Sequence, residues 1–132
     1  MISVPPRSAR HGARLLAYAH ATVDFHQGAI AALVPFLVLE RGWSYAVAGG
    51  IVLAASLSSS VVQPLFGALG DRWEMRWLVP VSILVAGEGI AAVALSVSFW
   101  VTAVAAAVSG IGVAAFHPAG AGRARRSAAG TT

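Results

Sequence analysis

Four long apolar runs, separated by short polar breaks, dominate this sequence of 132 residues. They read as spans at about 15–39, 44–70, 77–97 and 100–118. A helix needs ~20 apolar residues to cross a bilayer. In lipid, each spanning segment must satisfy its own backbone hydrogen bonds, which favours helices. Four such runs leave short loops, two tails and no room for a soluble domain. The expected fold class is an all-α membrane protein with four transmembrane helices. Composition agrees: 58% of residues are hydrophobic and 11% charged, against about 45–50% and ~25% in soluble domains.

The same features exclude several functions. There is no cysteine, so a disulfide scaffold, a cysteine nucleophile and a zinc finger are ruled out. A nucleic-acid partner is not expected, because the excess of four positive charges lies outside the apolar runs. No nucleophile–base pair, metal-ligand cluster or phosphate loop is visible. The reading is therefore not an enzyme, with no catalytic residue, cofactor or metal. A cleaved signal peptide is not expected either, since His20, Asp24 and His26 interrupt a first run that is too long for one.

Residues 1–14, with Pro5, Pro6, Arg7, Arg10 and Arg14, read as a basic tail. Residues 120–132 read as a small, basic, disordered tail. Arginine placement sets the orientation. With both tails and the second loop on the cytoplasmic side, eight arginines face inward and Arg41 alone faces out. Both termini are expected in the cytoplasm.

Ionisable groups inside a membrane are expensive and mark functional candidates. His20, Asp24 and Gly28 recur at four-residue spacing, which puts them on one face of the first helix. Imidazole has an ordinary pKa of about 6.5, so a His–Asp pair one turn apart can share and exchange a proton; it can also simply neutralise itself at a helix contact. Glu88 lies near the middle of the third span, where a carboxyl either binds a cation, carries a proton or bonds to a neighbouring helix. His117, before Pro118, ends the fourth span at a depth similar to His20. His26 lies on another face and reads as a packing residue or a contact to another helix. Ala54 with Ser58, and Ser56 with Ser60, suit close helix approach, as do Gly110 and Gly112. Pro35, Pro64 and Pro80 are expected near helix ends.

The loop Gly67–Arg76 is the most specific element. Gly67 and Gly70 let the second helix end close to its neighbour; Asp71, Arg72 and Arg76 form a charge latch able to close one side of a transporter, or a plain topology anchor.

These residues resemble the signature loop between the second and third helices of the major facilitator superfamily. Gly67, Gly70, Asp71, Arg72 and Arg76 stand at its places, and Glu74 stands where glycine is common. With His20-x3-Asp24-x3-Gly28, Gln63-Pro64 and Phe116-His117-Pro118, the sequence resembles the fosmidomycin-resistance-type efflux proteins over residues 15–126. Ala106 stands where many drug–proton antiporters carry an arginine, and Ala119 where an acid is common. The resemblance implies the N-terminal portion of a twelve-helix, proton-driven exporter of small molecules in a bacterial-type inner membrane. His20 and Asp24 would then line its central cavity, and the loop would stabilise one access state. Its partners would be the lipid bilayer, a small-molecule substrate and protons. Repeats of three helices build such transporters, so a complete path would need the missing helices or a second copy. Length thus points to a truncated product, inactive alone. Two other classes are a four-helix multidrug transporter acting as a dimer, and a non-transporting membrane assembly or haem protein, with His20 and His117 as ligands.

The topology is directly testable, because the chain lacks cysteine. In intact cells, Glu40→Cys is expected to react with a membrane-impermeant maleimide. Ser8→Cys is expected to react only once the cytoplasmic face is opened. Labelling of both from one side would overturn the topology.

Overall fold

A computed structural model describes residues 7–72 and 77–129, with side chains over 10–70 and 77–118. It consists of α1 (Arg7–Arg41), α2 (Tyr45–Arg72), α3 (Leu78–Leu95) and α4 (Phe99–Ala129). All four contain stretches long and apolar enough to cross a membrane. The 18 residues of α3 correspond to ~27 Å of helix, close to the ~30 Å hydrocarbon thickness. Exposed aromatic rings mark both ends of the bundle: Trp77 before α3, and Tyr45 and Trp100 at the opposite end. Such rings favour the membrane–water interface.

The breaks have local causes. Gly42 takes a left-handed φ of 65°, the usual exit from an α-helix. Ser44 then caps α2, its hydroxyl accepting from the Val47 amide at 3.3 Å. At the α3–α4 turn, the Thr102 amide donates to the Ser98 carbonyl at 2.9 Å and begins α4.

Several boundaries differ from expectation. Helix α1 starts at Arg7, inside the expected tail, and α3 stops at Leu95. Helix α4 runs through Pro118 to Ala129, so the backbone expected to be disordered from residue 120 is helical to that point. Ala119, Ala121, Ala124, Ala128 and three arginines explain this, being good helix formers. Pro35 and Pro64 lie inside helices.

Helix α4 packs between α2 and α3 at backbone distance. A Cβ on Gly110 would collide with the Ala55 carbonyl and the Ser58 hydroxyl of α2; one on Gly112 would collide with Ser82 and Ala86 of α3. Gly89 on α3 is equally blocked by Ser109 and Ala105. Two hydroxyls tie these contacts: Ser58 donates to the Ala107 carbonyl at 2.9 Å, and Ser109 to the Ala86 carbonyl at 2.9 Å. Of the two small-residue pairs expected to mediate approach, the face holding Ser58 is used. Ser60 is exposed and bonds back to the Ser56 carbonyl of its own helix at 2.8 Å.

Helix α1 is attached differently. Its buried side chains are Val23, Ile30 and Leu37, seven residues apart. Leu16, Ala19, His26 and Leu33 flank them, half-buried. Together they form a seam with the 3.5-residue repeat of coiled-coil packing. Two apolar clusters lie along it, one around Ile30, Leu37, Ile51 and Val93 and one around Val23, Val113 and Phe116.

Gly110→Ala is expected to destabilise the bundle by about 1–3 kcal/mol through overpacking. Gly49→Ala, with open space around it, is expected to be neutral or stabilising by up to ~1 kcal/mol. Reversible unfolding in mixed micelles would check this, and equal effects would refute the close crossing.

Candidate functional site

Helices α1 and α4 bring three of the singled-out side chains together near the end of the bundle that carries both termini. His20 Nε2 lies 3.3 Å from Asp24 Oδ2, one turn further along α1. The His20 ring meets the His117 ring edge-on, with centroids 5.7 Å apart. It also meets the Phe116 ring at 5.7 Å. Phe116 is fully buried and forms an apolar floor, so the imidazoles stand at the boundary between core and exterior. His20 and Asp24 remain about half exposed, open on the face that turns away from α4. The expected similar depth of His20 and His117 is thus realised as direct contact.

The reason is geometric. Val23 anchors α1 beside Phe116 in one apolar cluster, and His20 sits three residues back on nearly the same face. His117 follows Phe116 directly. Gly28, the last member of the four-residue series, is exposed with nothing near its Cα.

Further along α1, Gln27 shares Asp24's side of the helix and lines a small open-mouthed cavity. Ile30, Val52, Ser56, Ser59, Ser109 and Val113 also line it. Its walls carry hydroxyl, amide and hydrocarbon groups and no charge.

Glu88 does not join the cluster. The inner face of α3 is occupied by Ser82, Ala86, Gly89 and Val93, so Glu88 falls on the outer face, exposed with Val81, Leu84 and Leu95. His26 lies in the α1 seam against α3, where its Nε2 would be 3.4 Å from a Cβ on Gly87. This fits the expected helix contact, and its Nδ1 is buried without a hydrogen-bond partner. Of the loop residues, Gly67 and Gly70 lie in the last turns of α2 with open space around them. Asp71 and Arg72 end the α2 backbone; their side chains, and all of Arg76, lie outside the described residues. Among the described residues, no group of three or more His, Cys, Asp or Glu is arranged to hold a metal ion.

Sequence reasoning missed a second polar cluster at the opposite end. Arg41 donates to the Val93 carbonyl at 3.1 Å, to the Ala94 carbonyl at 2.9 Å and to the Thr102 hydroxyl at 3.2 Å. Its guanidinium also lies 5.4 Å from the centre of the Trp43 ring. The only sequence signal was one arginine at the end of a span.

Comparison with known proteins decides the family. Residues 16–130 match the model of the Major Facilitator Superfamily. The chain belongs to that superfamily. Its members are integral membrane transporters rather than enzymes. Among curated relatives, the fosmidomycin resistance protein of Escherichia coli (strain K12) is 33% identical over 103 residues, covering 78% of this chain and 25% of that protein. The uncharacterized MFS-type transporter YfnC of Bacillus subtilis (strain 168) is 30% identical over 117 residues, covering 89% of this chain and 28% of that protein. The chain thus spans about a quarter of the length of these relatives. No solved structure matches it.

The contact between α1 and α4 predicts a proximity that chemistry can read. His20→Cys combined with His117→Cys is expected to cross-link with a short thiol reagent in membranes. Glu88→Cys combined with His117→Cys is not. Equal yields from the two pairs would contradict the arrangement.

Proposed function

We propose that this chain forms the N-terminal portion of a proton-coupled exporter of a small molecule or drug, with His20, Asp24 and His117 as its proton-exchanging group. One observation carries the reading: the His20 imidazole stands 3.3 Å from a carboxylate and in ring contact with a second imidazole. The Escherichia coli relative is a fosmidomycin resistance protein, which supports a drug as substrate. Imidazole exchanges protons near neutrality, and the Asp24 carboxylate stands within reach of it. In this reading a proton enters on His20 or His117, and Asp24 holds the charge while the substrate occupies the cavity beyond Gln27. Release of the proton on the other side resets the site. The charge-free walls of that cavity favour the neutral part of a substrate.

Gly67, Gly70, Asp71, Arg72 and Arg76 act in this reading as the gate that stabilises one access state. Both termini lie in the cytoplasm, consistent with the arginine distribution. Glu88 takes no part in the proton path, because it faces away from it. The whole transport path requires further helices, since facilitator-type transporters rock paired repeats around a midplane site.

Asp24→Asn is expected to lower efflux driven by a proton gradient at least about tenfold, the usual scale for losing a positioned proton carrier. Glu88→Gln is expected to change it little. The measurement is fosmidomycin extrusion from energised vesicles in which this chain is joined to the helices that complete the path, at equal membrane abundance. Unchanged extrusion with Asp24→Asn would refute the proton site.

A further inference from the structure

We propose that Arg41 is a positioning residue, a clamp that fixes the tilt of α1 and thereby the meeting of His20 with His117 at the other end of the bundle. Its importance for transport rests on the proton-site reading above; its importance for geometry does not.

The last turn of an α-helix presents carbonyls with no partner inside the helix, and the helix dipole concentrates negative charge there. Helix α3 has no basic residue in its own last turn. Its C-cap amide, Ser96, reaches back to the Ala92 carbonyl at 3.0 Å, which leaves the Val93, Ala94 and Leu95 carbonyls. Arg41, from α1, closes the first two. The same guanidinium donates to Thr102, a fully buried hydroxyl of α4 that itself donates to the Ser98 carbonyl at 2.8 Å. One cation thus joins the ends of three helices. Among the described residues it makes no ion pair with a carboxylate, so the α3 terminus is its counter-charge. Trp43 covers it from the side.

Helix α1 is the most lightly attached of the four. It holds to the bundle by the seam of Val23, Ile30 and Leu37, with Val34 and Val38 packed beside its far end. A narrow coiled-coil seam permits rocking about its long axis and small changes of tilt. The His20 contact holds one end and Arg41 the other. Arginine is suited to this role because its planar fork serves several acceptors at once. A lysine offers a compact charge without that geometry.

The cysteine-free chain allows a test that does not depend on transport. The pair His20→Cys and His117→Cys reports on α1 against α4. The pair Ala86→Cys and Ser109→Cys reports on α3 against α4 and does not involve α1. Adding Arg41→Ala is expected to lower cross-linking of the first pair about tenfold, the scale of one net charge-assisted hydrogen bond, while the second is unchanged. Arg41→Lys is expected to fall between Arg41→Ala and the native residue. An unchanged first pair would overturn the clamp, as would an equal fall in both pairs, which would mean general loss of structure. Fosmidomycin efflux by Arg41→Ala with the native histidines, measured with this chain joined to the helices that complete the path, separates the two readings. Lost cross-linking with intact efflux would leave the clamp standing and refute the histidine proton site. Intact cross-linking would refute the clamp and leave the proton site to the Asp24→Asn measurement.

Discussion

Two absent side chains govern the arrangement. Helix α4 can lie against α2 and α3 at once because Gly110 and Gly112 open opposite sides of it to neighbouring backbones. In a membrane, burial of apolar surface does not drive helices together, since lipid is as apolar as leucine. Close packing and interhelical hydrogen bonds must do so. The glycines allow the approach, and Ser58 and Ser109 use it to reach carbonyls on the facing helices. Once α4 is held there, its two ends are set. Phe116 and His117 stand at one, Thr102 at the other, and both polar clusters are built on them.

Helix α1 obeys a different constraint. It carries His20, Asp24, Gln27 and Gly28 along one side, and a wide apolar attachment would bury them. The seam of Val23, Ile30 and Leu37 is the narrow alternative. It leaves the polar side open and shifts the work of orientation to the helix ends. The exposed Tyr18, Phe25 and Leu39 belong to faces that the seam leaves free. A helix so attached keeps its ionisable groups accessible, which is a physical requirement for any group that must exchange a proton or meet a substrate.

Much of this was legible in the sequence, for identifiable reasons. Hydropathy located the four spans because lipid imposes a length and a polarity on every segment. The family was legible in Gly67–Arg76 and the two histidine elements. A similar depth for His20 and His117 followed from counting along antiparallel spans; that their rings meet did not. What escaped notice depends on which faces touch. Arg41 looked like an end-of-span charge, because its partners at Val93, Ala94 and Thr102 lie more than fifty positions away. The two small-residue pairs of α2 looked equivalent until the position of α4 favoured one. The helical continuation beyond Pro118 was hidden by a proline that normally signals an ending, although the residues after it favour helix.

Asp24 and Glu88 make the same point for chemistry. Both are acids inside apolar runs, both bear a similar intrinsic cost in lipid, and depth alone does not separate them. Helix phase does. Asp24 falls one turn from an imidazole that packs against another helix, so it has a polar partner tied to α4. Glu88 falls on the side of α3 opposite the contacts made by Gly89 and Ala86, among Val81, Leu84 and Leu95. The packing of α4 therefore decides which acid enters a network. A rotation of α3 by about 100° would bring Glu88 to the place that Gly89 holds, where Ser109 and Ala105 leave no room for a side chain. The requirement for close helix crossing, rather than any property of the carboxyl itself, keeps Glu88 apart from the histidines.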